Sequence, residues 1–288
     1  MTTPAAVIDE IRAEFETGNV IPYLGPGMLA LARDGCPLPA SPEALAARLT
    51  AKASVPHKIR WNLTAAAQFI ENFKHRKTVK TAMLEAFQSA VPATELQLLL
   101  AAVPALPLVV HAWYDDLPQK ALVSRRSWGM VQGVSQAEHP GAWVHFLDPQ
   151  GVAVPAESAA WDTLLYQPLG SVSPAGNFLV SDSDYVEVLT EIDIQTPIPQ
   201  AVQQIRTGRH FLFLGCRFAT QLERMFARQI MKRSSGRHWA VLPEEPTKNE
   251  GRFLAEQKIE RIEMPLGAFQ KALETAFARE AERQLVGR

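Results

Sequence analysis

Val20-Ile21-Pro22-Tyr23-Leu24-Gly25-Pro26-Gly27-Met28-Leu29-Ala30 is the stretch on which the reading of the fold turns. Its apolar first half predicts a short strand, which runs into a glycine turn and then a helix start. Gly25, Gly27 and Ala30 fit the spacing G-x-G-x-x-A. In that pattern the first glycine lets the chain turn, the second lets backbone approach a pyrophosphate, and the small third residue allows close helix–strand packing. Backbone N–H groups at the helix start then face the phosphate. A Gly-Pro-Gly turn that merely ends a strand has the same spacing. An acidic ribose partner is also hard to place: Glu43 is near enough in sequence, but Ser41-Pro42-Glu43 reads as a helix start. Spacing alone favours a turn without a ligand.

Outward from this stretch, strands and helices alternate. Val7, Ile8, Ile11 and Phe15 mark one face of a helix over residues 5–16, closed by Thr17-Gly18-Asn19. Residues 41–102 read as wholly helical, which implies a helical insertion at about 35–104 within a single α/β domain over 1–288. A second strand, residues 105–110, ends in His111-Ala112-Trp113-Tyr114-Asp115-Asp116, and open α/β sheets place ligand-contacting residues at such ends. Residues 122–132 predict a third strand or strand pair, and 141–147, 161–165 and 178–180 predict further strands. Ser181-Asp182-Ser183-Asp184 caps a helix over 185–192. Residues 209–218 read as a buried parallel strand that stops at Gly215, with a helix over 220–231 behind it. Short strands at 239–242 and 259–263 and a helix over 268–285 complete the pattern. The expected fold is Rossmann-like: α/β, a mostly parallel sheet with helices on both faces.

Composition narrows the function classes. The 288 residues are 47% hydrophobic and 20% charged, with 29 basic and 30 acidic side chains giving a net charge of −1. Such balance implies no nucleic-acid partner. No apolar run has the length of a membrane span, and Asp9 and Glu10 interrupt any leader-like stretch near the start. Cys36 and Cys216 cannot build a zinc ribbon. The expectation is a cytoplasmic protein without metal or membrane contact. Lys74-His75-Arg76-Lys77 reads as a solvated helix end, and the six tryptophans as core and pocket walls.

Several stretches together resemble the SIR2-like superfamily, most closely its bacterial branch without the zinc module of true sirtuins. Residues 18–28 are similar to the opening glycine motif, and residues 63–71, with Gln68, to the helix that follows. Leu108-Val109-Val110-His111-Ala112-Trp113-Tyr114-Asp115 resembles the strand that ends in a Thr-Thr-Asn-Tyr-Asp type motif. Tyr166-Gln167-Pro168-Leu169-Gly170-Ser171, with Asp184-Tyr185 behind it, is similar to the His-Gly segment. Residues 211–218 resemble the segment that lines the adenosine ribose. The resemblance covers nearly the whole chain in order. It implies NAD or an ADP-ribose-like nucleotide as ligand, with Gly25, Pro26, Gly27, Met28, Trp113, Asp115, Gly170, Gly215, Cys216 and Arg217 as its contacts. Arg217 is then a phosphate contact, a 2′-phosphate included, or simply a solvated helix-start residue.

The departures carry as much information as the matches. Trp113 stands where the family has the Asn that positions the nicotinamide ribose and water, and Leu169 stands where it has the general base His. Neither can accept a proton or orient a water as an amide does. Loss of a general base costs roughly 10²–10⁴ in rate. His111 and His145, each near a strand end, are the weak candidates for a substitute base, and Cys216 has no visible base to activate it. Three functions follow as expectations. The first is a catalytically degenerate nucleotide binder acting as a sensor or as partner to another protein. The second is an NAD glycohydrolase or NAD-dependent deacylase with a relocated base. The third is a ligand-free scaffold whose pocket is filled by Met28, Trp113 and Arg217.

Overall fold

Thr3 accepts the N–H of Ala6, and Pro4 occupies the first turn, so helix α1 (Pro4–Glu16) begins where its sequence permits and buries Val7, Ile8, Ile11 and Phe15. Gly18, at φ +73°, reverses the chain into strand β1 (Val20–Leu24). In this computed structural model, which describes residues 3–286 except 34, 157, 159 and 195–197, β1 is followed by a 3-10 helix, Pro26–Leu31, in place of the expected α-helix. Four helices come next: α2 (Pro42–Thr50), α3 (Leu63–Lys74), α4 (Arg76–Ala86) and α5 (Glu95–Ala102). Ser41 caps α2, as its sequence predicts, Asn62 caps α3, and a Thr94–Gln97 capping box opens α5. The segment is not helical throughout, since residues 51–62 and 87–94 are turns and loop.

Strand β2 (Leu108–His111) leads to helix α6 (Leu117–Leu122), so the predicted third strand starts only at β3 (Trp128–Gly133). The Asp115 carboxylate accepts the Leu117 N–H and nucleates that helix. Then follow β4 (Val144–Leu147), β5 (Ala153–Val154) and β6 (Thr163–Gln167). A small hairpin pairs β7 (Gly170–Ser171) with β8 (Asn177–Phe178), shorter than the expected strand at 178–180. Helix α7 (Asp182–Ile194) begins three residues earlier than predicted because Asp184 accepts the N–H groups of Val180 and Ser181. The remainder alternates: α8 (Gln200–Arg206), β9 (His210–Leu214), α9 (Gln221–Met231), β10 (His238–Val241), α10 (Lys248–Glu256), β11 (Ile259–Ile262) and α11 (Leu266–Val286).

The main sheet has the order β11-β10-β9-β1-β2-β6-β3-β4-β5. Every pairing from β11 to β3 is parallel, and β4 and β5 add antiparallel at one edge. Side chains alternate across it, so both faces must be covered. Ile21, Tyr23, Phe211 and Phe213 face a core shared with α2, α3, α4, α7 and α9. Val20, Leu24, Leu212 and Leu214 face a second core built with α1, α5, α6 and α11. The four helices between β1 and β2 therefore divide: α2–α4 cover one face, and α5 joins α1 on the other.

One ion pair ties the first core together. Arg76 donates to Asp184 at 2.7 Å, to Glu71 at 3.2 Å and to the Phe178 carbonyl at 2.5 Å. The Arg76 side chain is 13% exposed and that of Asp184 2%. The predicted solvated helix end is thus wrong for Arg76, which crosses from α4 to α7 through the interior. Asp184 also accepts the Ser135 hydroxyl, and burial, which acts to raise its carboxyl, is outweighed by Arg76 and these hydrogen bonds.

Candidate functional site

From β1 the chain builds outward through β2, and later returns to place β9 on the other side of β1. Connections thus leave the adjacent strands β1 and β9 in opposite directions, and their carboxyl ends border the crevice where open α/β sheets bind ligands. Gly25 ends β1 and Gly215 ends β9.

The two loops touch through backbone. Gly25 N–H donates to the Leu214 carbonyl at 2.9 Å and Gly27 N–H to the Gly215 carbonyl at 2.9 Å. A Cβ on Gly25 would lie 2.5 Å from the Gly215 oxygen. Gly215 sits at φ +64°, and a Cβ there would lie 2.4 Å from the Met28 nitrogen. The Met28 N–H itself donates to the Gly25 carbonyl at 3.2 Å. Gly25, Gly27 and Met28 therefore spend their N–H groups inside the loops.

Above this contact opens a cleft of about 340 Å³. Its floor is Tyr23, Gly25 and Pro26; Pro42, Glu43 and Trp61 to Thr64 form one wall, and α9 with Leu222, Glu223, Phe226 and Ala227 the other. Ala112, Trp113, Leu169, Tyr185, Cys216, Arg217, Phe218 and Thr220 complete the lining. Trp113 is 3% exposed, donates its Nε1–H to the Pro39 carbonyl at 2.9 Å, and packs against Phe87 and Tyr114. It is a fixed wall and does not fill the space.

Of the sequence candidates, Gly25, Pro26, Trp113, Cys216 and Arg217 border the cleft, together with Leu169. Gly27 and Gly215 lie beneath it in the loop contact, and Met28 is buried in the core on the opposite face of the sheet. Asp115 is buried and close to His111, Oδ2 to Nε2 at 3.2 Å. Neither of these two lines the cleft. Gly170 is packed against Asn177 and Gly133 in the hairpin. His145 lies on β4, separated from β1 by β2, β6 and β3, with its ring against His139. Burial first, and then His139, lower its pKa. The structure thus gathers the glycine turn, the Trp113 strand end, Leu169 and the β9 loop, and leaves both histidines outside.

Electrostatics set what the cleft can attract. Arg217 is engaged by Glu250 through Nε–Oε1 at 3.0 Å and Nη2–Oε2 at 3.1 Å, and Glu244 binds its Nη1. Burial pushes the Cys216 thiol up, well away from thiolate, and its Sγ–H points to the Tyr23 carbonyl. Burial likewise raises the phenols of Tyr23 and Tyr185. Glu223 accepts the Thr220 N–H and hydroxyl, yet burial still raises its carboxyl. Glu43, weighed in the sequence only as a ribose partner and set aside as part of a helix start, holds both places: it opens α2 and borders the cleft. Glu223 and Trp61 were missed. The Thr220-x-x-Glu223 capping box was visible, but a capping residue carries no sign of what else its carboxylate faces. Gln68, part of the resemblance, is spent on the Ser183 N–H and ties α3 to α7.

Among the described residues no group of three His, Cys, Asp or Glu side chains is placed to hold a metal, and no helix is long and apolar enough to cross a membrane. A family model described as a SIR2-like domain matches residues 107–262, just over half of the chain, from before β2 to the end of β11. The match includes Trp113, Leu169 and the β9 loop but not the Gly25 turn. No curated protein matches the sequence.

Proposed function

The chain belongs to the SIR2-like domain family, and from that premise we propose that it is a binding module that holds a nucleoside-type ligand in the cleft between β1 and β9 without cutting it. One observation carries this reading: an open, aromatic-walled cleft at the switch point, bordered by Trp113 and Leu169, the residues that the resemblance sets at the positions of the family's catalytic Asn and His. Flat aromatic walls with a few polar groups suit a heterocycle and its ribose. Carboxylates are the usual partners of ribose hydroxyls, and Glu43 and Glu223 supply two.

The family implies NAD or an ADP-ribose relative, whose pyrophosphate needs backbone donors or a cation. The N–H groups of Gly25, Gly27 and Met28 are already bonded, and Arg217 is held by Glu250 and Glu244. These residues do not fit a pyrophosphate in this arrangement; the nucleoside half is the part that fits. The two histidines weighed as substitute bases, His111 and His145, both lie outside the lining. Ligand occupancy then serves as a signal, with the protein acting as a sensor or as partner to another protein.

Calorimetric titration with adenosine and with NAD, followed by assay of the end-point mixture for free nicotinamide, tests the reading. Saturable heat without nicotinamide is the expected result. Nicotinamide accumulating with turnover overturns it in favour of an active enzyme, and absence of heat with either probe returns the protein to a scaffold.

A further inference from the structure

The charged groups around the cleft are unevenly distributed. Glu43 and Glu223 border it, and the only guanidinium in its lining among the described residues, Arg217, is bound by two further carboxylates, Glu244 and Glu250. Two other arginines lie close by without joining the lining. Arg60 stands over the outer Trp61 ring at 5.4 Å, and Arg224 donates to the Phe218 and Ala219 carbonyls. Within the lining itself two carboxylates face one guanidinium that is already bound to carboxylates, so the lining is electronegative, and its walls present the faces or edges of Trp61, Trp113, Tyr185, Phe218 and Phe226.

Such a lining repels one kind of ligand and attracts another. A phosphate brings negative charge next to carboxylates and finds no free donor in the glycine turn, so that turn does not compensate its desolvation. A ring carrying positive charge gains from both the carboxylates and the aromatic quadrupoles. Resting on the binding-module reading, we infer that the cleft selects a flat aromatic ligand that bears positive charge and no phosphate, with Glu223 and Glu43 as the residues that set this preference. The glycine motif is retained for a different reason than phosphate approach: it lets the β1 and β9 loops touch, as the 2.5 Å and 2.4 Å Cβ clearances at Gly25 and Gly215 require.

Nicotinamide riboside and nicotinamide mononucleotide test this directly, because they share a cationic ring and ribose and differ by one phosphate. Calorimetry on the full chain should give saturable binding of the riboside and at least about tenfold weaker binding of the mononucleotide. Glu223→Gln and Glu43→Gln should each weaken the riboside, by about tenfold for the half-buried Glu223 and less for the exposed Glu43. Gln is also a capping-box residue, so Glu223→Gln keeps the start of α9. Equal or tighter binding of the mononucleotide or NAD overturns the charge selection while leaving the binding module standing. Riboside binding unchanged in both variants overturns the assignment of the two carboxylates. If neither probe nor adenosine binds, the binding-module reading itself falls, and this inference with it.

Discussion

Arg217 and Glu250 form a two-point ion pair, Nε to Oε1 at 3.0 Å and Nη2 to Oε2 at 3.1 Å, between the β9 loop and helix α10. The same carboxylate accepts the Phe218 N–H at 3.1 Å and the Thr247 N–H at 2.9 Å. Burial works to raise the Glu250 carboxyl, but the Arg217 hydrogen bonds and the two N–H groups overcome it and hold it at about 2. Because the folded value lies below the unfolded value of about 4.3, this group's stabilisation is complete above that pH and fades as pH falls toward 2. Glu250→Gln should lower stability at pH 7 by about 1.5–3 kcal/mol, measured by urea unfolding. The gap to the natural chain should narrow between pH 4 and pH 2; a gap that stays constant there counts against the pair as its source.

His238 shows the opposite chemistry in the next strand. Its Nδ1 accepts the Phe211 N–H at 2.9 Å, so the ring must be neutral to make that bond, and Nε2 lies 3.3 Å from the Ser234 hydroxyl. Burial, and then His210, lower its pKa to about 4. With an unfolded value of about 6.5, the unfolded chain takes up the proton first, and stability falls by about 1.4 kcal/mol per pH unit between pH 6.5 and pH 4. Urea unfolding of the natural chain and of His238→Asn across this window should show that part of the slope lost in the variant.

The loop contact predicts a sharp penalty for small additions. Gly215→Ala places a Cβ against the Met28 nitrogen at a positive φ, and Gly25→Ala places one against the Gly215 oxygen. Each should cost on the order of 1–3 kcal/mol and abolish ligand heat. Gly251→Ala, where a Cβ meets nothing within 4 Å, is the control that should leave ligand binding intact. Thermal melts and calorimetry on the three variants check the ordering.

Arg76→Met should cost about 3–5 kcal/mol, because it strands the Asp184 carboxylate in the interior. Adding Asp184→Asn to it should recover part of the loss. A double-variant cycle that shows additivity instead would mean that Asp184 is satisfied by Ser135, Val180 and Ser181 alone.

How much of this was legible in the residues depends on the range of the interaction. The strands at 20–24, 108–111 and 210–214 are short apolar runs ended by polar or glycine turns, and their parallel pairing follows from that pattern. The cap at Ser41 is read directly from the residues, and those at Asn62, Thr94 and Thr220 rest on equally local chemistry. What could not be read was which distant group each loop residue meets. Arg217 looked free because Glu250 is 33 residues away in sequence. Arg76 looked solvated because Asp184 is 108 residues away. Gly25 and Gly27 fit a phosphate motif whose N–H groups turn out to be spent on β9. Charge, unlike hydrophobic periodicity, leaves no repeating trace of its partner in the chain.

The contact between Gly25 and the β9 loop also fixes when the cleft can exist. During synthesis the first strand and its turn emerge early, but the carbonyls of Leu214 and Gly215 that receive the Gly25 and Gly27 N–H groups come some 190 residues later. Until then the β9 side of β1 is an unpaired edge next to an unfinished floor, open to pairing with other chains. A ribosome-bound intermediate truncated before His210 should therefore carry α1 to α8 and the Trp113 strand end yet hold no ligand. The cleft is thus a property of the nearly finished chain, and on the proposed binding role a ligand seated there would report that synthesis has passed α9.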